Sequence, residues 1–174
     1  RNQPPTLDRV RLKTLHGMSD VTPAAWDALL QENDKPFLSW GYLDALERSG
    51  AACAFTGWQP IHFTLWEGGQ LVAAAPAYLK TQGGGEYLFD GAWARAAQRL
   101  GLNYFPKLVL TVPFSAIPGR RILVKPGDEA FGAELLESVV AWAREQRLSS
   151  VHVHFADPPL VPKPPVGISN CLYD

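Results

Sequence analysis

FPKLVLTVPFSAIPGRRIL, residues Phe105 to Leu123, is the stretch whose reading decides the fold. It opens on a β-rich run, Lys107 to Val112. The run breaks at Pro113-Phe114-Ser115, turns at Pro118-Gly119 and then presents Arg120 and Arg121. An amphipathic helix is predicted from about Asp128 to Arg147, where Phe131, Leu135, Val139, Trp142 and Ala143 recur at three- and four-residue spacing. A strand, a basic turn and a helix together form an arrangement that can hold an anionic cofactor, because turn and helix amides point outward and the helix dipole favours negative charge. The same Gly-Arg-Arg is also what a plain solvated turn looks like. Beyond the helix, Ser149 to Phe155 reads as another strand. A strand, helix and strand in this order should form a right-handed parallel crossover.

On the amino-terminal side, Ile61–Trp66 and Leu71–Tyr78 flank Glu67-Gly68-Gly69-Gln70 and predict a hairpin with a four-residue loop. Ile61, Phe63 and Leu65 fall on one face of it, and His62, Thr64 and Trp66 on the other. The second strand, LVAAAPAY, is rich in small residues, so something must pack close to it, and Pro76 should interrupt its ladder. Thr22-Pro23 marks a helix start running to Gln31, and Ser39 caps a second helix that Gly50 stops. Arg9 to Leu15 alternates as an edge strand. Thr81 to Gly85 is a flexible loop, after which Asp90 is placed to cap a helix from Gly91 to Leu100. The expected architecture is α/β, a single mixed sheet with helices on both faces. It occupies residues 8–157, between a loosely held N-terminus (1–7) and a Pro-rich tail or linker (158–174).

The 174 residues suffice for one core, with 47% apolar and 19% charged residues. A formal net charge of −1 with mixed signs gives no sign of bulk attraction to nucleic acid and leaves room for a local basic patch. No apolar run is long enough to cross a bilayer. The chain starts at Arg1 and its one methionine is Met18, which is read as a trimmed chain or a fragment. Cys53 and Cys171, far apart, make no disulfide framework, and a cytoplasmic location is expected.

Three stretches carry a resemblance. PFLSWGYLDALERSG (Pro36 to Gly50), LVAAAPAYLKT with GEYLFDGAW (Leu71 to Trp93), and YFPKLVLTVPFSAIPGRRIL (Tyr104 to Leu123) resemble a family of N-acyltransferases related to the Fem aminoacyl-transferases of peptidoglycan synthesis. The order of elements is similar to the GNAT acyltransferase fold up to its fifth strand. The resemblance implies transfer of an acyl or aminoacyl group from acyl-CoA, or from aminoacyl-tRNA, to a small-molecule or peptide amine. It also implies a second, C-terminal half that these 174 residues lack, and a sheet edge after Phe155 that predicts self-association. The Gln/Arg-x-x-Gly-x-Gly/Ala loop that grips the CoA pyrophosphate in GNAT enzymes is reduced here to Gly119.

Acyl transfer to an amine needs a proton acceptor, a donor to the developing oxyanion and a groove that aligns the reactants. By resemblance, Val112 to Phe114 holds the oxyanion position, and since Pro113 has no N–H the donor falls to Phe114. Gly119, Arg120 and Arg121 are candidates to meet phosphates. Glu86 and Asp90 are candidate bases, against the plainer reading of a solvated glutamate and a helix cap. Tyr104 and Tyr87 are candidate general acids, against buried structural tyrosines. His152 and His154 have a spacing that zinc sites use, but no third ligand is evident nearby. The rival to catalysis is a scaffold half that shapes a partner's substrate channel.

Overall fold

The computed structural model of the chain describes residues 10–34, 36–86 and 90–157. The loosely held N-terminus, Tyr87 and the Pro-rich tail lie outside the described residues. In chain order the elements are β1 (Arg11–Leu15), α1 (Pro23–Asp27), α2 (Trp40–Arg48), β2 (Trp58–Pro60), β3 (His62–Glu67), β4 (Gln70–Ala75), β5 (Ala77–Lys80), α3 (Gly91–Arg99), β6 (Lys107–Leu110), β7 (Leu123–Val124), α4 (Glu129–Glu145) and β8 (Val151–Val153).

The strands form two four-stranded sheets rather than the single sheet expected, in the orders β1-β3-β4-β7 and β2-β5-β6-β8. The division follows from Pro76. With no N–H to donate, it ends β4, and the chain resumes as β5 in the second sheet. Ile61 does the same between β2 and β3, and its N–H reaches Ala77 O at 3.0 Å, which ties the sheets along the seam. The β3–β4 hairpin turns on two residues, not four: Glu67 pairs with Gln70, leaving Gly68 and Gly69 at φ 55° and 83°. A tight hairpin with both central residues left-handed is the turn that matches strand twist, and two glycines adopt it without a Cβ penalty.

Two layers cover the first sheet. The faces of Phe63, Leu65, Ala73 and Ala75 meet Leu135, Leu136 and Val139 of α4. On the other side Leu71, Ala74 and Leu123 meet Trp26, Leu29 and Leu43 from the α1 and α2 layer. A strand packed on both faces has room only for small residues, which accounts for the alanines of β4. α1 spans five residues, shorter than expected and too short to hold alone. Its Thr22 cap accepts from Ala25 N–H, and the buried Trp26 donates from its indole to Leu38 O at 2.9 Å.

β6 and β8 pair in parallel, Leu108 with Val151, Val109 with His152 and Leu110 with Val153. Between them the chain visits the first sheet, where Leu123 and Val124 of β7 pair antiparallel with Ala74 and Ala73. This extra strand uses the apolar run after Arg121.

Candidate functional site

Strand alternation puts two different surfaces on the second sheet. Leu79, Leu108, Leu110, Val151 and Val153 belong to the core under α4. The opposite face carries Tyr78 and Lys80 from β5, Lys107 and Val109 from β6, and His152 followed by His154 from β8 and its end. The register sets Lys80 beside Lys107, and Tyr78, Val109 and His152 in one row. Both lysines are buried. A buried ammonium needs a counter-charge, and the connection between β5 and α3 supplies two. Glu86 Oε2 stands 2.9 Å from Lys107 Nζ, and Asp90 Oδ2 accepts from the same ammonium at 2.5 Å. Tyr104 Oη donates to Asp90 Oδ2 at 2.9 Å. Asp90 occupies the N-cap position of α3 as expected, but its carboxylate makes no cap bond, being spent on Lys107 and Tyr104.

Lys80 is less well matched. Its ammonium lies 4.0 Å from Glu86 Oε1, donates to Gly84 O at 2.9 Å and sits 3.9 Å above the Trp58 ring. Burial lowers its pKa to about 8, helped by neighbouring Lys107 and opposed by Glu86 and Asp90. Burial raises the Glu86 pKa, outweighing the pull of Lys107. Asp90 is also desolvated, but the bonds from Lys107 and Tyr104 outweigh that and hold its pKa low. Burial, with Lys107 adding to it, pushes His152 down to about 4. His154 is driven to about 3 by burial, then by His152 and Lys107. The two imidazoles are therefore neutral at neutral pH. His152 Nε2 is engaged by Ser150 Oγ at 2.8 Å. His154, 5% exposed, has no hydrogen-bond partner on either ring nitrogen among the described residues, while Glu86 meets Lys107 as an ion pair at 2.9 Å. Among the described residues no group of three His, Cys, Asp or Glu side chains is placed to hold a metal ion.

β6 and β8 part company beside this cluster. Their last shared bond is His154 N–H to Leu110 O at 3.1 Å. Past it the chain beyond β8 pairs with Gly119 instead: Gly119 N–H donates to Phe155 O, and Asp157 N–H to Gly119 O, both at 3.0 Å. Each chain turns into left-handed backbone where it leaves, Phe114 at φ 57° and Phe155 at φ 52°. A bulky residue there costs about 1–2 kcal/mol, so the geometry is imposed by its surroundings. The Phe114 amide has no acceptor among the described residues. The Phe114 ring lies against Trp58, centroids 5.5 Å apart, and both crowd Gly85: a Cβ there would fall 2.7 Å from Phe114 and 2.8 Å from the Trp58 indole nitrogen. The glycine loop thus closes over the cluster at a point where no side chain fits.

The other expected residues land elsewhere. Val112 is buried in the core against the α1 and α2 layer. Gly119 supplies the rung just described. Arg120 reaches inward to the Asp34 carboxylate, Leu29 O and Val124 O. Arg121 donates to His154 O at 2.8 Å, Arg120 O at 2.9 Å and Ile117 O at 2.6 Å. These guanidinium groups hold carbonyls of their own chain; the expected phosphate contacts would have to displace those bonds. Lys80 and Lys107 are not singled out by the sequence, and His154 only as one of a His-x-His pair with zinc-site spacing. A lysine inside an otherwise apolar strand, as in AYLK and PKLVL, was the available signal. A surface hollow of about 170 Å³ lies between the end of α4 and the start of β8, lined by Val140, Ala143, Arg144, Leu148, Ser150 and Val151.

A family model, FemAB-like, described as peptidoglycan biosynthesis/recognition, matches residues 17–163. No curated protein matches the chain. Among solved structures, the aminoglycoside N-acetyltransferase AAC(6')-Iy in complex with CoA is similar, with a TM-score of 0.51, 14% identity, and coverage of 90% of this chain and 82% of that one. A ribosomal-protein-alanine N-acetyltransferase from Brucella melitensis biovar Abortus 2308 has a TM-score of 0.48 at 16% identity, covering 88% and 83% of the two chains. A GCN5-related N-acetyltransferase from Ralstonia eutropha JMP134 has a TM-score of 0.48 at 11% identity, covering 94% and 99%. The architecture is the mixed α/β fold of the GNAT acetyltransferases.

Proposed function

Because the chain belongs to the FemAB-like family, we propose that it acts as an N-acyltransferase, moving an acyl group from an activated donor to an amine by direct attack. The observation that carries this reading is the parting of β6 and β8, with the open Phe114 amide on one side and the buried Glu86, Lys107 and Asp90 cluster on the other. A preorganised amide facing the carbonyl stabilises the oxyanion where it forms. Proton removal from the amine depends on Glu86, whose charge Lys107 maintains inside the protein. Asp90 and Tyr104 hold Lys107 in place, and Tyr104 is the candidate to return a proton to a leaving group.

The donor we assign is acyl-CoA, supported by a neighbour of the same fold that binds CoA. Its carbonyl end would lie at the Phe114 turn. Its phosphates do not fit Arg120 and Arg121 as those side chains stand, so they would be met elsewhere. Aminoacyl-tRNA is the other donor class, and an amine of a peptidoglycan-type peptide is the acceptor that the family description favours. The test is incubation of the full chain with labelled acetyl-CoA, or with charged tRNA, and a panel of peptide amines. Transfer is expected, and Glu86→Gln should lower kcat on the order of a hundredfold with the fold intact. No transfer from either donor removes the reading.

One observation favours a second reading, a non-catalytic half that shapes a partner domain's channel. The cluster is closed over by the Gly83–Gly85 loop, and its lysines and carboxylates already neutralise one another. Under that reading neither donor binds, and Glu86→Gln leaves the activity of any larger assembly unchanged.

A further inference from the structure

α3 is the helix that the core does not hold. None of its nine residues is buried. Trp93, Ala96 and Leu100 follow one another at three- and four-residue spacing, so they share a face, and that face looks into solvent. Trp93 is 70% exposed and Leu100 75%. The far end of the helix is nonetheless well formed. Gly101, at φ 70°, donates its N–H to Gln98 O at 3.1 Å, and Leu102 donates to Ala97 O at 2.9 Å, the two bonds of a Schellman ending. Leu102 is therefore fixed just past the helix, and it too is exposed, at 61%. The near end is anchored by Asp90, whose carboxylate is bound to Lys107 and Tyr104.

The charge on this helix has one sign. Arg95 and Arg99 stand four residues apart, both exposed, on a different face from Trp93 and Leu100. Gly91 to Asn103 contains no acid. Neither arginine has an ion-pair partner among the described residues. An apolar stripe turned to water with arginines on the other side is the reverse of a helix that serves its own core. A nine-residue helix is marginal in water by itself, so a cover over the stripe would also stabilise it. A protein groove would take the apolar stripe but leave the arginines without a complement. An anionic lipid surface meets both, because tryptophan and leucine enter the acyl boundary while long basic side chains stay among the headgroups.

We propose that α3 is a membrane-surface helix that docks this protein on a bilayer carrying anionic headgroups. Trp93, Leu100 and Leu102 insert, and Arg95 and Arg99 meet headgroup phosphates. The helix lies in the interface and does not span it. The proposal stands apart from the acyltransferase reading and does not depend on it.

The test is co-sedimentation of the full chain with vesicles, either phosphatidylcholine alone or equal parts phosphatidylcholine and phosphatidylglycerol. Binding to the mixed vesicles should be about tenfold or more the tighter, and should weaken as salt rises. Trp93→Ser should lower it about tenfold or more. Arg95→Gln with Arg99→Gln should lower it about 25-fold, roughly fivefold for each arginine. Tryptophan emission should move to shorter wavelength on binding, and Trp93→Phe, which still binds, should lose that shift. These side chains are exposed, so the urea midpoints of the variants should match wild type. Failure to bind the mixed vesicles overturns the proposal and leaves the stripe to a protein groove. Binding that Trp93→Ser and the double arginine variant leave within about twofold of wild type also overturns it. A wild-type dimer by light scattering that Trp93→Ser dissociates assigns the face to a second copy and overturns it as well.

Discussion

Arg147 holds a position that helices usually give to glycine. It follows α4 at φ 56°, its N–H reaches Arg144 O, and the next N–H, from Leu148, reaches Ala143 O, both at 3.0 Å. These are the two bonds of a Schellman ending, whose left-handed residue suits glycine because a Cβ is penalised there. The side chain is exposed. Arg147→Gly is expected to stabilise the fold by about 1 kcal/mol, read as a higher urea midpoint at unchanged slope. Lys107 presents the opposite case. Lys107→Met leaves Glu86 and Asp90 facing each other without their shared cation, and should cost about 3–5 kcal/mol in the same measurement. Adding Glu86→Gln to that variant should recover part of the loss, because one uncompensated charge is then removed.

The elements show how far local signals reach. Ser39 was legible as a cap, and its hydroxyl does accept from Tyr42 N–H at the start of α2. Ser39→Ala should cost about 1 kcal/mol by thermal or chemical unfolding. Asp90 gives the same signal in the sequence and occupies the same position at α3, yet its carboxylate goes to Lys107. A cap is worth about 1 kcal/mol, less than leaving a buried ammonium short of a counter-charge, so the tertiary demand wins. No sequence window contains that comparison, because its partners lie 17 residues apart on different elements. The arginines after Gly119 were misleading for a related reason. A Gly-Arg-Arg turn reads as exposed, and only the fold brings Asp34 and the carbonyls of His154 and Ile117 within reach to draw both side chains inward. His154 was visible only as one of two histidines on a strand face. What distinguishes it, ring nitrogens without a hydrogen-bond partner among the described residues, belongs to the packed molecule.

Across the whole molecule the order of the helices and longer strands and the hairpin were readable, whereas the short strands β2 and β7 and the division into two sheets were not. Pro76 was seen to break a ladder, but where the broken strand goes next depends on which partners β2 and β6 offer it. The charge distribution of the finished fold makes stability depend on pH. His152 and His154 have folded pKa values of about 4 and about 3 against an ordinary 6.5. The unfolded chain therefore takes up protons first as pH falls. Their contribution is complete above pH 6.5 and is lost progressively down to the folded values, at up to about 1.4 kcal/mol per pH unit for each histidine. Asp90, with its lowered pKa, loses its contribution further into acid. Glu86, with its raised pKa, works in the other sense, contributing at low pH and losing that contribution as pH rises through its folded value. Two histidines outweigh one glutamate, so the chain should unfold at lower urea at pH 5 than at pH 7, and His154→Gln should flatten that difference.

Gly119 occupies the hydrogen-bonding edge that β6 gives up, and that substitution ties access to exchange. An incoming acyl arm that lies along the edge must compete for Phe155 O with a glycine already bound there. Under the acyltransferase reading, Gly119 stands where the donor arm would bind. Deuterium uptake at the Gly119 and Asp157 amides should quicken when the site fills, at the same time as amides deeper in β6 grow slower.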